Sequence, residues 1–271
     1  MTEQAASNPA AGTGESARIA ALYRYPVKGM SPEPLDTVRL AAGEGLPGDR
    51  AFAIENGPGR FDPLAPRHLP KIHFLMLMRD ERLATIETHF DHATTTLKIR
   101  RDGAEVARGD LSVPIGRKMI EQFLSSYFAR ELRGAPKIVS APGHMFSDVA
   151  EKCVHIVNLE SVRAVERAAG RSLDPLRFRA NIYLEGLPAW REFDWIGRAI
   201  RLGPLRASVF ARTERCAATN VDLRTANRNA DVPAFLRRNF GHSDLGIYAT
   251  ISTGGDVARG DPVAPTPEDH A

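Results

Sequence analysis

The chain has 271 residues, a formal net charge of +3 and two cysteines, Cys153 and Cys216. This length supports a sizeable core and two closely associated subdomains. Two cysteines exclude a disulfide framework and an iron–sulfur cluster held by four thiolates of this chain, so we expect a reducing, cytoplasmic setting. No apolar run approaches the roughly 18 residues of a membrane helix, and the arginines are interleaved with acids. We therefore expect neither a membrane nor a nucleic-acid partner.

The first part of the chain predicts a tail followed by strands. Residues 1–17 are rich in small and polar residues, which indicates a disordered tail. Short apolar segments then alternate with glycine and proline turns, which predicts a mostly β subdomain over residues 18–116. The predicted strands are Arg18–Tyr25, Leu35–Ala41, Arg50–Glu55, His73–Met78, Leu83–Thr88 and Thr95–Arg100.

The second part, residues 117–263, mixes helices and strands. An apolar stripe at helical spacing predicts a helix over Arg117–Leu132 that bridges the subdomains. Asn158 is a candidate N-cap for a helix that stops at Gly170, and a shorter helix starts at Pro233 and ends before Gly241. The predicted strands are Cys153–Val157, Asn181–Glu185, Arg198–Leu202, Leu205–Arg212 and Gly246–Ser252. Residues 264–271 are expected to be a frayed tail.

Cys216 is the leading candidate for a chemically active residue. It follows Arg215 at the end of a predicted strand, and small residues come after it. A thiolate is a soft metal ligand, and a neighbouring guanidinium favours loss of the thiol proton. The alternative is a structural buried cysteine, which the apolar strand around Cys153 predicts for that second thiol.

Several cations stand in special places along the chain. Lys28 and Arg50 each lie where a predicted strand meets a glycine or proline turn, a place that suits a phosphate. The alternative is that Lys28 is merely exposed and that Arg50 pairs with Asp49. Arg177 and Arg179 alternate, which predicts that both lie on one face of a strand.

Four motifs in this order resemble the MOSC proteins that carry an N-terminal β-barrel subdomain. They are Tyr-Pro-Val-Lys at 25–28, Gly-Asp-Arg at 48–50, Arg-Phe-Arg-Ala-Asn-Ile at 177–182, and Arg-Cys at 215–216 followed by Thr219, Val221 and Asp222. The resemblance extends over nearly all of residues 18–263 and includes the amidoxime-reducing components. It implies a mixed, β-rich α+β fold, with a MOSC-type β-barrel domain, a mostly β N-terminal subdomain and a ligand cleft between them.

The same resemblance implies a function and a set of site residues. The expected cofactor is molybdenum bound to molybdopterin, with Cys216 as metal ligand and catalytic residue. The predicted cofactor-binding residues are Lys28, Arg50, Asp148, Arg179, Asn181, Arg215, Thr219 and Tyr248. The expected reaction is reduction of N-hydroxylated small molecules, with electrons from a separate reductase because no dinucleotide-binding loop is present. A non-catalytic carrier or maturation protein related to sulfur transfer, and a relative that binds no metal, remain as alternatives.

Overall fold

The computed structural model describes residues 17–266, in which we find three α-helices and fifteen strands. The helices are α1 (Pro114–Tyr127), α2 (Leu159–Ala169) and α3 (Val232–Phe240). The strands are β1 (Ala17–Arg24), β2 (Glu33–Leu35), β3 (Thr37–Leu40), β4 (Ala53–Glu55), β5 (Glu87–Asp91), β6 (Thr96–Arg101), β7 (Ala104–Asp110), β8 (Lys137–Val139), β9 (Val154–Asn158), β10 (Ile182–Glu185), β11 (Ala199–Leu202), β12 (Leu205–Glu214), β13 (Asp244–Thr253), β14 (Gly255–Ala258) and β15 (Pro262–Pro265).

Seven strands close into a barrel. Their order is β10, β9, β13, β12, β11, β15 and β1, and β1 pairs back onto β10. Strands β9 and β10 are parallel and the other neighbours are antiparallel. Alternate residues such as Ile156, Ile200 and Val209 point into one apolar core. The predicted β-rich α+β fold with a barrel is therefore confirmed.

The two halves of the chain are interwoven. Strand β1 comes from the start of the chain, yet it completes a barrel whose other strands all lie within residues 154–265. Strand β3 pairs with β14, and β4 pairs with β8. Strands β5, β6 and β7 form a separate sheet, against which helix α1 packs through Ile120 and Leu124.

The predicted ends of α2 and α3 are close to those observed. The Asn158 side chain accepts the backbone N–H of Glu160, and Gly170 ends α2 in the left-handed conformation with a φ of 62°. Helix α3 has proline in its first turn and ends at Gly241. Helix α1 begins three residues before the predicted Arg117 and ends at Tyr127, five residues before Leu132.

Two predicted strands of the N-terminal part are wrong. In His73–Met78, His73 ends a short 3-10 helix and only Phe74 makes an isolated bridge, to Glu55. In Leu83–Thr88, the first three residues belong to a 3-10 helix, Glu81–Thr85. The cause is Asp80, whose carboxylate accepts the backbone N–H of Met76 and whose carbonyl accepts that of Leu83. This local hydrogen bonding turns the chain where its composition favours a strand.

The chain ends also differ from expectation. The expectation of a tail from residue 264 is wrong for its first two residues, because Ala264 and Pro265 belong to β15 and pair with Arg201 and Ile200 of β11. Ala17 belongs to β1, whereas residues 1–16 and 267–271 of the predicted tails lie outside the described part of the chain. No helix within residues 17–266 has the length and apolar character needed to cross a membrane.

Candidate functional site

One cavity at the junction of the barrel and the N-terminal part brings together eight of the nine predicted site residues. They are Lys28, Arg50, Asp148, Arg179, Asn181, Arg215, Cys216 and Tyr248. The ninth, Thr219, is fully buried behind the wall, and its hydroxyl donates to the Cys216 carbonyl at 2.9 Å. Thr219 therefore shapes the turn after the cysteine and does not face the cavity.

Cys216 lies just beyond the end of barrel strand β12. It is partly exposed, and its backbone is the N-cap of a 3-10 helix, Ala217–Asn220. The sequence therefore placed this thiol correctly at a strand end. A sulfur in this position can be reached from the cavity while the turn behind it is held fixed.

Arg177 fastens that turn from inside the protein. Its guanidinium donates to Asp222 at 2.8 Å, to Asn229 at 2.9 Å and to the Asn220 carbonyl at 3.3 Å. The side chain is 2% exposed, so this ion pair is formed largely away from water. Arg177 is thus a support for the cysteine turn.

The prediction that Arg177 and Arg179 share one face of a strand is wrong. Arg177 belongs to a 3-10 helix, Pro175–Phe178, and Arg179 follows it in the left-handed conformation with a φ of 52°. Asp174 caps this helix by accepting the Leu176 N–H, which turns the chain just before β10. Because of this bend, Arg177 donates to the cysteine turn while Arg179 lies against the N-terminal part.

Lys28, Asp148 and Lys71 form a line of charges along the cavity. Lys28 is buried and donates to Asp148 and to the Phe146 carbonyl, so it is not a merely exposed lysine. Lys71 donates to the second oxygen of Asp148 at 3.3 Å and also lies against Cys216. The Asp148 side chain is 42% exposed, which places the opening of the cavity here.

The charged neighbours and the burial of Asp148 and Lys28 set the pKa values of these two groups. Burial opposes ionisation of Asp148, but the charges of Lys28 and Lys71 hold its pKa below the usual range. Burial lowers the pKa of Lys28, and Asp148 opposes that effect. The carboxylate is therefore charged at neutral pH and neutralises part of the positive charge of the cavity.

Arg50 has a carboxylate partner from its own turn. It pairs with Asp49, as the alternative interpretation of the sequence expected, and it also donates to the Arg179 carbonyl at 3.0 Å. Although burial opposes its charge, Asp49 raises the pKa of Arg50. Arg50 is therefore a fixed cation that links the N-terminal part to the arginine turn.

Arg179 and Arg215 are partly buried cations that form no salt bridge with a carboxylate of residues 17–266. Arg179 donates to the Met30 carbonyl at 2.8 Å, and its Nη2 has no hydrogen-bond partner. Arg215 donates to the Phe178 carbonyl at 2.9 Å, and its Nε is likewise unpartnered. Burial lowers the pKa of Arg179 to about 10, which still leaves it charged at neutral pH. Unpartnered guanidinium donors at a cavity suit an anionic ligand.

His155 joins these two arginines. One ring nitrogen lies 3.3 Å from a nitrogen of Arg215 and the other lies 3.4 Å from the Arg179 carbonyl. Because a guanidinium only donates, Nε2 is the acceptor and Nδ1 carries the proton. Burial, with the charge of Arg215, holds the pKa of His155 well below its usual value. A neutral imidazole thus accepts from the Arg215 guanidinium and donates to the backbone of the turn that carries Arg179.

Two further predicted residues have clear surroundings. Tyr248 lines the cavity and packs on His155, with ring centroids 5.2 Å apart. The Asn181 side chain accepts the backbone N–H of His155 at 3.1 Å and donates to the Tyr23 carbonyl at 3.2 Å. Asn181 therefore ties β9 to β1 at the edge of the cavity.

Cys153 also touches the cavity, but it is 3% exposed. Burial raises the pKa of this thiol to about 12. It therefore stays protonated at neutral pH, which agrees with the structural role predicted for it and leaves Cys216 as the accessible sulfur.

Lys71 and His155 are lining residues that the sequence analysis missed. Lys71 stands two residues before the predicted strand His73–Met78, and a single lysine there carries no distinguishing pattern. His155 lies in a fully buried strand, where a polar side chain is itself a signal that something holds it. That signal could have been used.

The donor set limits the kind of metal site that can form. No group of three or more His, Cys, Asp or Glu within residues 17–266 could hold a metal ion by itself. A metal bound through Cys216 therefore needs further ligands from a non-protein group. Unpartnered guanidinium donors beside it suit a group that also carries a phosphate, so the residues present fit a pterin-bound metal.

Two family models match successive parts of the chain. The MOSC N-terminal beta barrel domain matches residues 16–131, and the MOSC domain matches residues 135–264. The chain belongs to the MOSC proteins. In this MOSC protein the cysteine, the arginine turn and His155 all lie in the MOSC domain, whereas Lys28, Arg50 and Lys71 come from the N-terminal domain. The boundary expected between residues 116 and 117 stays a prediction.

Relatives and solved structures add limited detail. The MOSC protein is 26% identical over 273 residues to human molybdenum cofactor sulfurase; the match covers 85% of this chain and 30% of that much longer protein. The YuaD protein from Bacillus subtilis is 15% identical, covers 92% of this chain and 94% of its own, and has a TM-score of 0.42. YiiM from Geobacillus stearothermophilus is 20% identical, covers 44% and 56%, and has a TM-score of 0.34. With TM-scores this low, the two structures say nothing about activity.

Proposed function

We propose that this MOSC protein binds molybdenum–molybdopterin in the cavity and reduces N-hydroxylated small molecules with electrons from a separate reductase. The observation that carries the proposal is one cavity that combines an accessible thiol, Cys216, with two partly buried guanidiniums that have no carboxylate partner within residues 17–266. A soft ligand for the metal and cationic donors for a phosphate are the two features that such a cofactor requires.

Different residues of the cavity would bind the metal and the phosphate of the cofactor. Cys216 would be the protein ligand of the metal. Arg179 and Arg215 would contact the phosphate, with Lys28 and Arg50 adding positive charge from the N-terminal domain. When bound, the cofactor would supply the two-electron redox chemistry that no side chain of this protein provides.

The proposed reaction balances as R–NH–OH + 2 e⁻ + 2 H⁺ → R–NH₂ + H₂O. The N–O bond breaks, the substrate nitrogen is reduced, and the oxygen leaves as water. The electrons come from the reductase, and the protons come from solvent that reaches the cavity at the exposed side of Asp148. The role of the protein would be to hold the substrate in this opening, beside Cys216 and Lys71.

One observation favours a second candidate function, that of a cofactor carrier or maturation protein. The named relative is a molybdenum cofactor sulfurase, and the match to it spans most of this chain. A carrier or maturation protein would need the same thiol and the same cations, without turnover of an N-hydroxylated substrate. This alternative predicts bound cofactor and no reductase-dependent reaction.

An activity measurement separates the two. The protein is purified from a host that makes molybdenum cofactor and is mixed with a flavin reductase system and an N-hydroxylated nucleobase. The amine product is quantified for the wild type, Cys216→Ser and Cys153→Ser. We expect product from the wild type and Cys153→Ser, and none from Cys216→Ser. Stoichiometric molybdenum with no product under any competent donor would favour the carrier.

A further inference from the structure

Tyr25 lies under the two arginines that link the domains. Its side chain is fully buried, and it is not among the residues that line the cavity. The guanidinium carbon of Arg179 lies 4.3 Å from the ring centroid, and that of Arg50 lies 4.9 Å from it. A tyrosine ring attracts cations through its quadrupole, and this attraction is strongest away from water.

The two arginines need such support because their positions are costly. Both adopt the left-handed conformation, with φ values of 48° for Arg50 and 52° for Arg179. Their like charges also repel each other, and that repulsion contributes to the lowered pKa of Arg179 after the larger effect of burial. Asp49 compensates the charge of Arg50, whereas Arg179 has only the Met30 carbonyl and the Tyr25 ring.

The Tyr25 hydroxyl lies near the Tyr183 side chain. It is buried and makes no hydrogen bond of ordinary geometry within residues 17–266. A buried hydroxyl without a partner costs stability, so its removal should be harmless or favourable. The ring and the hydroxyl can therefore be tested separately.

We propose that Tyr25 is a positioning residue for anion binding, whose ring holds the guanidiniums of Arg50 and Arg179 where they receive a phosphate group in the cavity. The proposal rests on the proposed function, because it assumes that this cavity binds an anionic cofactor. It adds a residue that acts through both arginines without touching the ligand.

The test compares Tyr25→Phe, which keeps the ring, with Tyr25→Leu, which removes it. The matched control is Tyr127→Leu, because Tyr127 also carries two arginines over its ring, Arg82 at 4.6 Å and Arg101 at 5.1 Å, away from the cavity. The apparent affinity of cofactor-free protein for inorganic phosphate is measured from the rise in melting temperature with phosphate concentration. Pterin per chain is measured on protein from a host that makes the cofactor.

We expect Tyr25→Phe and Tyr127→Leu to bind phosphate and retain pterin as the wild type does. Tyr25→Leu should bind phosphate about tenfold more weakly and retain less pterin, because two desolvated cation–π contacts are lost. If Tyr25→Leu does not fold, a series of mono-, di- and trifluorophenylalanine at position 25 replaces it. Fluorine weakens the ring quadrupole with little change of shape, so affinity should fall stepwise along the series.

Wild-type affinity in a folded Tyr25→Leu protein, or a flat fluorination series, overturns the role of the ring. Equal losses in Tyr25→Phe and Tyr25→Leu overturn it too, because the hydroxyl would then be responsible. A wild type that binds phosphate and holds no pterin contradicts the proposed cofactor alone. A wild type without a phosphate response contradicts both the anion site and Tyr25's part in it.

Discussion

At the scale of single residues, the cavity is distinguished by arginines that have no carboxylate partner within residues 17–266. Arg50 and Arg177 have carboxylates beside them, whereas Arg179 and Arg215 donate to backbone carbonyls and pack on neutral rings. A buried cation left in that state is unfavourable unless something else compensates it. An anionic ligand that enters the cavity provides this compensation, and His155 contacts the Arg215 guanidinium and the Arg179 backbone.

Cys216 gives the first prediction at this scale. Cys216→Ser replaces a soft ligand by a hydroxyl that stays protonated near neutral pH, so the metal should lose its protein ligand. The fold and part of the pterin should remain, because the arginines do not depend on the sulfur. Circular dichroism, the metal absorption spectrum and pterin content test this. An unchanged metal spectrum in Cys216→Ser would contradict it, and Cys153→Ala serves as the control.

Asp148 gives a prediction with a defined pH dependence. Its folded-state pKa is depressed, so its ion pairs stabilise the fold above the ordinary carboxyl pKa, and this contribution disappears as pH falls through the folded value. Asp148→Asn should therefore be less stable than the wild type at pH 7, and the difference should shrink below about pH 4. Urea unfolding from pH 7 to pH 3 measures it. A difference that does not change with pH would show that charge is not the cause.

Lys71 gives the third prediction. Its ammonium lies against Cys216, so Lys71→Met removes positive charge beside the sulfur. We expect the reaction of cofactor-free protein with iodoacetate, an anionic reagent, to slow several-fold, because the variant loses a positive charge that attracts the reagent to the sulfur. Lys118→Met, on the exposed side of α1, is the control and should leave the rate unchanged. Equal rates for the wild type and Lys71→Met would remove Lys71 from the site.

At the scale of elements, the sequence predicted those parts in which local signals and packing agree. Helix α2 has a capping Asn158 and a terminal Gly170, and both operate as expected. The strands predicted over His73–Met78 and Leu83–Thr88 are wrong because Asp80 forms local hydrogen bonds there, which the composition of the segment does not reveal. The strand predicted from the alternation of Arg177 and Arg179 is wrong for a similar reason, because Asp174 caps a 3-10 helix at this place. Local side-chain hydrogen bonds therefore account for the main errors.

The contact between β7 and α1 gives a prediction at the element scale. A Cβ built on Gly116 would lie 2.0 Å from the Asp110 carbonyl oxygen, a backbone atom that cannot move aside. Gly116→Ala should destabilise the protein by about 3 kcal/mol, the upper range for overpacked sites. Ser125→Ala, exposed on the same helix, should be neutral or slightly stabilising. Chemical denaturation of both variants checks this, and equal stability would contradict the close packing.

At the scale of the whole molecule, the barrel closes only because the first strand of the chain joins strands that follow residue 150. Strand β1 lies between β15 and β10, and no local pattern within Ala17–Arg24 indicates those partners. The β content and the barrel class followed from turn spacing and from the family resemblance, but the strand order could not be predicted from composition. Lys28 and Cys216 line one cavity, and this could be predicted because both belong to motifs of the family resemblance, although they lie far apart in sequence.

Barrel closure predicts that the two domains fold together. A fragment of residues 117–271 lacks β1 and would leave β10 and β15 as open edges. We expect it to aggregate or to lack the near-ultraviolet circular dichroism of a packed core. Co-expression with residues 1–116 should restore a folded complex. A monomeric fragment that unfolds cooperatively by itself would show that β1 is dispensable.

The central claim is that this cavity holds a molybdenum cofactor through Cys216, Arg179 and Arg215. Its most direct test is the amount of molybdenum and of released pterin per chain in wild-type protein purified from a host that makes the cofactor. We predict one of each per chain, with molybdenum lost and some pterin kept in Cys216→Ser. Folded wild-type protein that contains neither molybdenum nor pterin would contradict the claim.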